Sequence, residues 1–196
     1  RTIWFENSTI AWFIRFDRYQ KRAELVRLDL ERGRGEVVFT EEAENGYVQM
    51  NTSFTDKPIV WTLSGSNEFI WYSERDGWGH LYLHDTRTGE IKSRITSGDW
   101  VVRRILHVDE KARRIVFSAH GVDPAADPAH RTVCASNLDG SGFEILLAQD
   151  GDIYVTPNEI DGAPQDSPFR GAGAQGGLSP DGKAAIVQFW SVERGN

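Results

Sequence analysis

Few side chains in this sequence stand where they could do chemistry. Cys134 is the single cysteine, so no disulfide forms within the chain. Its setting, Thr132-Val133-Cys134-Ala135-Ser136, is a strand of small residues in which a thiol packs as a small hydrophobe instead of ionising to a nucleophile. His80 and His84 flank Tyr82 at a spacing of two, which puts all three on one face of a strand. A zinc site needs further ligands, and none stands at a suitable spacing, so these histidines read as packing or edge residues. Asp123, Asp127 and Asp139 offer carboxylates without the regular oxygen-ligand spacing of a calcium loop. Trp78 and Trp100 could line a binding surface but read more simply as aromatics packed between sheets. No catalytic, cofactor-binding or metal-ligating residue is assigned, and no cofactor is expected.

The elements that must position these groups are strands. The chain has 29 acids against 22 bases, a net charge of −7, which excludes the basic footprint of a nucleic-acid binder. The charge is spread along the chain and serves solubility. No apolar run approaches the roughly 18 residues of a membrane helix. The N-terminus, Arg1-Thr2-Ile3-Trp4-Phe5, is not a signal peptide. It starts inside a strand-like segment and predicts a piece of a longer protein. Thr9-Ile10-Ala11-Trp12-Phe13-Ile14-Arg15-Phe16, Phe69-Ile70-Trp71-Tyr72, Arg114-Ile115-Val116-Phe117-Ser118 and Ala185-Ile186-Val187-Gln188-Phe189-Trp190 are short runs of β-branched and aromatic residues. No stretch keeps an apolar period of 3.6 for the length of a helix.

These runs recur in a fixed order. The clearest copy has strands at 58–63, 68–74, 80–85 and 90–96, separated by Ser64-Gly65-Ser66-Asn67, Arg75-Asp76-Gly77-Trp78-Gly79 and Thr86-Arg87-Thr88-Gly89. Four strands on tight turns make an antiparallel meander. Matching strands precede it near 12–13, 23–30 and 35–40, and follow it near 100–108, 114–119, 133–138 and 142–147. A further copy opens at Leu178-Ser179-Pro180-Asp181-Gly182-Lys183. The third-strand anchors Asp29, Asp85 and Asn137 lie 56 and 52 residues apart, the length of a four-stranded propeller blade. Radial stacking buries both faces of each blade, which explains strands that are apolar throughout. The recurring turn chemistry favours a propeller over a sandwich of two facing sheets. The expected fold is all-β, a partial β-propeller of about three to four four-stranded blades at 1–45, 46–97, 98–150 and part of one at 178–196. A hairpin lengthens at 120–131, and 148–177 is an insertion loop.

The stretch Ser73-Glu74-Arg75-Asp76-Gly77-Trp78-Gly79-His80-Leu81-Tyr82-Leu83 resembles the propeller of the dipeptidyl peptidase IV family, in the prolyl oligopeptidase superfamily. Ile95-Thr96-Ser97-Gly98-Asp99-Trp100-Val101-Val102, the Asn137-Leu138-Asp139-Gly140 turn and Ser179-Pro180-Asp181-Gly182-Lys183 continue the likeness in order. The resemblance implies the last blades of an eight-bladed propeller that gates substrate to a serine peptidase. It implies peptide substrates, a C-terminal α/β-hydrolase domain as partner, and a periplasmic or secreted setting. The nucleophile elbow Gly-x-Ser-x-Gly is missing from these residues, and Gly77-Trp78-Gly79 has glycine where the serine would stand, so the chain alone is expected to be inactive. The family's propeller also carries paired glutamates that bind a substrate's amino terminus. Glu41-Glu42 stands in the wrong place for them, after a fourth strand, so Glu41, Glu42 and Glu44 are expected to be a solvated turn. The alternative is a non-catalytic propeller, TolB-like or of the WD-repeat kind, acting as an interaction module. In either case an incomplete propeller exposes blade faces, which predicts homo-oligomers.

Overall fold

The structure, a computed structural model, describes residues 3–50, 59–63, 65–148, 151–154, 177–178, 185–186 and 188–190. The described residues contain sixteen strands and no helix, and none of their elements is a helix long and apolar enough to cross a membrane. Three sheets of four strands dominate. The first is β1 (Ile3–Phe5), β2 (Ile10–Phe16), β3 (Arg22–Asp29) and β4 (Arg34–Glu42). The second is β5 (Val60–Leu63), β6 (Glu68–Ser73), β7 (His80–Asp85) and β8 (Ile91–Arg94). The third is β9 (Val101–Asp109), β10 (Arg114–His120), β11 (Arg131–Asn137) and β12 (Glu144–Leu147). In each sheet the strands pair antiparallel in sequence order, the meander of a propeller blade. The fold is a partial β-propeller. The chain divides into two compact units, one holding β1–β8 and the other β9 onward.

Short polar side chains mark the turn after the third strand of each four-stranded sheet. Asp29 Oδ1 accepts the Arg32 N–H at 2.9 Å, and Asp85 Oδ1 accepts the Arg87 N–H at 2.7 Å. In the third sheet Asn137 donates from its side-chain amide to Ser141 Oγ at 3.0 Å, and Asp139 Oδ1 accepts the Ser141 N–H at 2.9 Å. Short polar side chains that bond the backbone two or three residues on favour a turn over a continuing strand. These bonds hold the Asp29, Asp85 and Asp139 carboxyls below the ordinary carboxylate range, with Arg32, Arg87 and Ser141 the leading donors.

The middle strands are covered on both faces: every residue of β6 is buried, as are residues 80–84 of β7. In the first unit Ile10, Trp12, Ile14 and Leu25 of the first sheet pack with Phe69 and Trp71 of the second, closed by Val48 and Met50. Phe39 sets its ring on Trp71 at 5.0 Å and on His84 at 4.5 Å. Fully burying side chains of this size contributes roughly 1.5–3 kcal/mol each before conformational entropy is counted. In the second unit Val116, Val133 and Ala135 pack with Ile153, while Trp100 stacks on Phe117 at 6.0 Å. Cys134 is buried in β11, and burial pushes its thiol up to about 12.

The long connection departs from the sequence pattern. Asp152–Tyr154, inside the stretch expected to be loop, is a strand, β13, paired with β16 (Gln188–Trp190). A separate two-stranded sheet pairs β14 (Gly177–Leu178) with β15 (Ala185–Ile186). Ile153 of β13 is drawn into the core against Val116, Val133 and Ala135. The stretch 155–176 and the segment 179–184, with its Ser-Pro-Asp-Gly-Lys motif, lie outside the described residues.

Candidate functional site

The residues with the greatest chemical content gather at one end of the first unit, around the β6–β7 hairpin. Ser73-Glu74-Arg75-Asp76-Gly77-Trp78-Gly79 forms this turn, and it folds tightly because Gly79 lies under Tyr72. A Cβ there would come within 1.8 Å of the Tyr72 hydroxyl, so no larger residue fits without displacing that ring. Asp76 accepts the Tyr82 hydroxyl and lies 3.0 Å from Arg94. The Arg75 guanidinium sits 4.6 Å from the centroid of the Tyr82 ring, and Arg94 sits 5.8 Å from it. Burial, helped by the bond to Asp76, pushes the Tyr82 phenol up to about 12. The phenol therefore stays protonated and donates to Asp76.

Glu41 corrects the expectation drawn from its sequence. It is not part of a solvated turn. It is the last but one residue of β4, opposite Ala23, with a side chain only 12% exposed. Its carboxylate accepts the Trp71 indole N–H and the Ser73 hydroxyl, and Arg75 lies 3.8 Å away. One side chain thus ties the first sheet to the second and fixes the strand that leads into the hairpin. Glu42 does point outward, 67% exposed, with Arg22 at 3.6 Å.

Above this network the unit exposes aromatic surface. Phe16 ends β2, Tyr19 lies in the β2–β3 turn, Tyr47 follows β4, and Trp78 tips the β6–β7 hairpin; all four are exposed. They share one end of the unit. Val48 N–H donates to the Gln20 carbonyl at 2.7 Å and Ala43 N–H to that of Lys21 at 2.9 Å, which ties the segment after β4 to the β2–β3 turn. Glu41 ties the same end to Ser73. Trp78, expected to pack between sheets, is instead 43% exposed because the turn carries it past the last ladder pair, Ser73–His80. Trp100 does pack, at 8% exposure.

The arrangement can contact a ligand but shows no activated nucleophile. His80 and His84 are fully buried. His84 Nδ1–H donates to the Gly89 carbonyl at 2.8 Å, which leaves Nε2 as the lone-pair nitrogen, buried without a partner. Its ring stacks on Phe69 at 5.0 Å, and burial lowers its pKa to about 4. Asp123, Asp127 and Asp139 each cap a turn locally, accepting the N–H of Ala125, Ala129 and Ser141. Among the described residues no three His, Cys, Asp or Glu side chains come together as a metal site requires.

Comparison with known proteins agrees with the hairpin motif. The family model for the dipeptidyl peptidase IV (DPP IV) N-terminal region matches residues 1–155. Dipeptidyl peptidase 4 of Arthroderma otae is 26% identical over 151 residues, covering 73% of this chain and 19% of the fungal protein. That of Trichophyton equinum is 27% identical over 104 residues, or 53% of this chain and 13% of the relative. The chain therefore spans a fifth or less of the length of these relatives. The crystal structure of Porphyromonas gingivalis dipeptidyl peptidase 4 superposes with a TM-score of 0.60 at 21% identity, over 76% of this chain and 19% of that one. At that identity the likeness shows the fold.

Proposed function

Because this chain belongs to the dipeptidyl peptidase IV N-terminal region family, we propose that it is the substrate-gating propeller segment of a serine peptidase. In this reading an α/β-hydrolase domain of the parent protein supplies the serine, histidine and acid of acyl transfer. The propeller covers that domain and admits only short or extended peptides, excluding folded proteins by size. The exposed aromatic end of the first unit is the surface offered to peptide. Indole and phenol faces give contact area at low entropic cost, and rigid sheets hold the loops that carry them. We divide the segment into blades at 1–45, 46–97, 98–150 and part of one at 178–196, with association of copies through uncovered blade faces. The observation that carries the reading is the coincidence of the family match over 1–155 with three successive four-stranded meanders.

The test is made on the whole natural gene product that contains this chain. It is expected to carry a Gly-x-Ser-x-Gly elbow, to release dipeptides from Gly-Pro or Ala-Pro amides, and to lose that activity to a serine-directed fluorophosphonate. Trp78→Ala is expected to raise KM for peptide substrates several-fold while leaving kcat on a small amide unchanged. A gene product with no elbow and no hydrolysis would replace the peptidase reading with that of a non-catalytic interaction propeller.

A further inference from the structure

The end of the first unit away from the aromatic hairpins holds a groove of about 270 Å³ between its two sheets. It opens where the β1–β2, β5–β6 and β7–β8 turns lie. The register of the first sheet builds one wall. Trp12 stands opposite Arg27, and Arg27 opposite Glu36, so the three form a row across β2, β3 and β4 on one face. Glu6 adds a carboxylate and accepts the Trp12 indole N–H at 2.7 Å. The second sheet faces this row with the neutral polar groups of Thr62, Asn67 and Thr86. Leu63 and Val38 complete an apolar floor with Trp12.

The charges in the groove fall into two sets. Glu68 is neutralised by Lys92 and also accepts Ser66 Oγ at 2.8 Å, while Arg87 lies 3.3 Å from Asp85. Arg27 and Glu36 form no ion pair among the described residues; Arg27 acts at longer range on the Asp29 carboxylate, which Arg32 already holds. Arg27 and Glu36 project from directly opposed positions on adjacent strands, where Cα atoms lie about 4.5–5.5 Å apart. A ligand with a single charge would satisfy one of them and crowd a like charge against the other. A ligand with an ammonium and a carboxylate a similar distance apart satisfies both, each bond being charge-assisted. The volume lies at the small end of ligand pockets and suits two residues of peptide, not an extended chain.

We propose that this groove is a binding site for a small zwitterion of the dipeptide class. The ammonium lies against Glu36 and the free oxygen of Glu6, the carboxylate against Arg27, and an apolar side chain on the Trp12–Leu63 floor. The site is remote from the aromatic end and does not depend on the peptidase reading.

The probe is alanyl-leucine, titrated into the full chain and followed by heteronuclear NMR at the Trp12 indole N–H and the amides of Glu36, Asn67 and Thr86. Saturable shifts confined to these groups are expected. N-acetyl-alanyl-leucine and alanyl-leucine amide should each bind about tenfold or more weakly, the range for losing one hydrogen bond to a charged group. Arg27→Gln and Glu36→Gln should produce the same loss while leaving the unfolding midpoint near that of the parent. Absence of saturable shifts overturns the proposal. So does binding that acetylation, amidation and both substitutions leave unchanged.

Discussion

Glu41 and Glu42 are neighbours of the same type, and the structure gives them opposite consequences. Glu41→Ala removes the acceptor for the Trp71 indole N–H and the Ser73 hydroxyl, two donors on residues 0% and 1% exposed. A buried donor left without a partner costs about 1–3 kcal/mol. Ser73 Oγ still receives the Arg75 Nε–H at 2.8 Å, and its hydroxyl can rotate, so its share falls at the low end. The Arg75 contact at 3.8 Å, on a side chain 27% exposed, adds little. The sum is about 2–4 kcal/mol for Glu41→Ala, and about 1 kcal/mol for Glu41→Gln, which keeps one acceptor oxygen. Glu42→Ala loses only an exposed pair at 3.6 Å and should cost under about 0.5 kcal/mol. The assay is urea unfolding, with hydrogen exchange of the β6 amides reporting the first unit by itself, because two compact units need not unfold together. If Glu41→Ala and Glu42→Ala unfold within about 0.5 kcal/mol of each other, the bridging role given to Glu41 is wrong.

Two further outcomes follow from the same layer between the sheets. His84 carries a folded-state pKa of about 4 against an ordinary 6.5. As pH falls from 6.5 to about 4 the unfolded chain binds a proton that the folded one does not, so stability declines across that window and is level below it. The full effect is on the order of 3 kcal/mol at 1.36 kcal/mol per pH unit. NMR titration of the His84 ring should find no protonation above about pH 5, and a midpoint near 6.5 would refute the burial argument. Gly89 has φ of +73°, and a Cβ on it would stand 2.8 Å from the Val38 carbonyl oxygen. Gly89→Ala combines left-handed strain with that clash and should cost at least about 2 kcal/mol. A urea midpoint equal to that of the parent would show that the β7–β8 turn can move.

Much of this architecture is legible in the residues. Asp29, Asp85 and Asn137, found by their spacing, each end the third strand of a sheet. Strands that lack alternation, such as residues 69–72, are those covered on both faces. The Arg75-Asp76-Gly77-Trp78-Gly79 turn lies where its glycines require. What the residues conceal is set by contacts between sheets. Glu41 looks like the first residue of an acidic turn because nothing local reveals that Trp71, thirty residues on, offers it an indole N–H. Trp78 reads as a core aromatic by type, yet its position past the last ladder pair turns it outward. Asp152–Tyr154 is too short to signal a strand alone and becomes one by pairing with β16, across an intervening stretch of more than thirty residues. The Arg27–Glu36 row was equally invisible, since it depends on the register of β3 against β4.

The ladder between the third and fourth strand slips once in each four-stranded sheet, between Leu25 and Val26, between Leu83 and His84, and between Val133 and Cys134. Each fourth strand is one margin of its sheet. An irregular margin offers an incoming chain no even row of amides and carbonyls to zip onto. Fibril-like growth by lateral strand addition is thereby discouraged three times over, at one of the two margins of each four-stranded sheet.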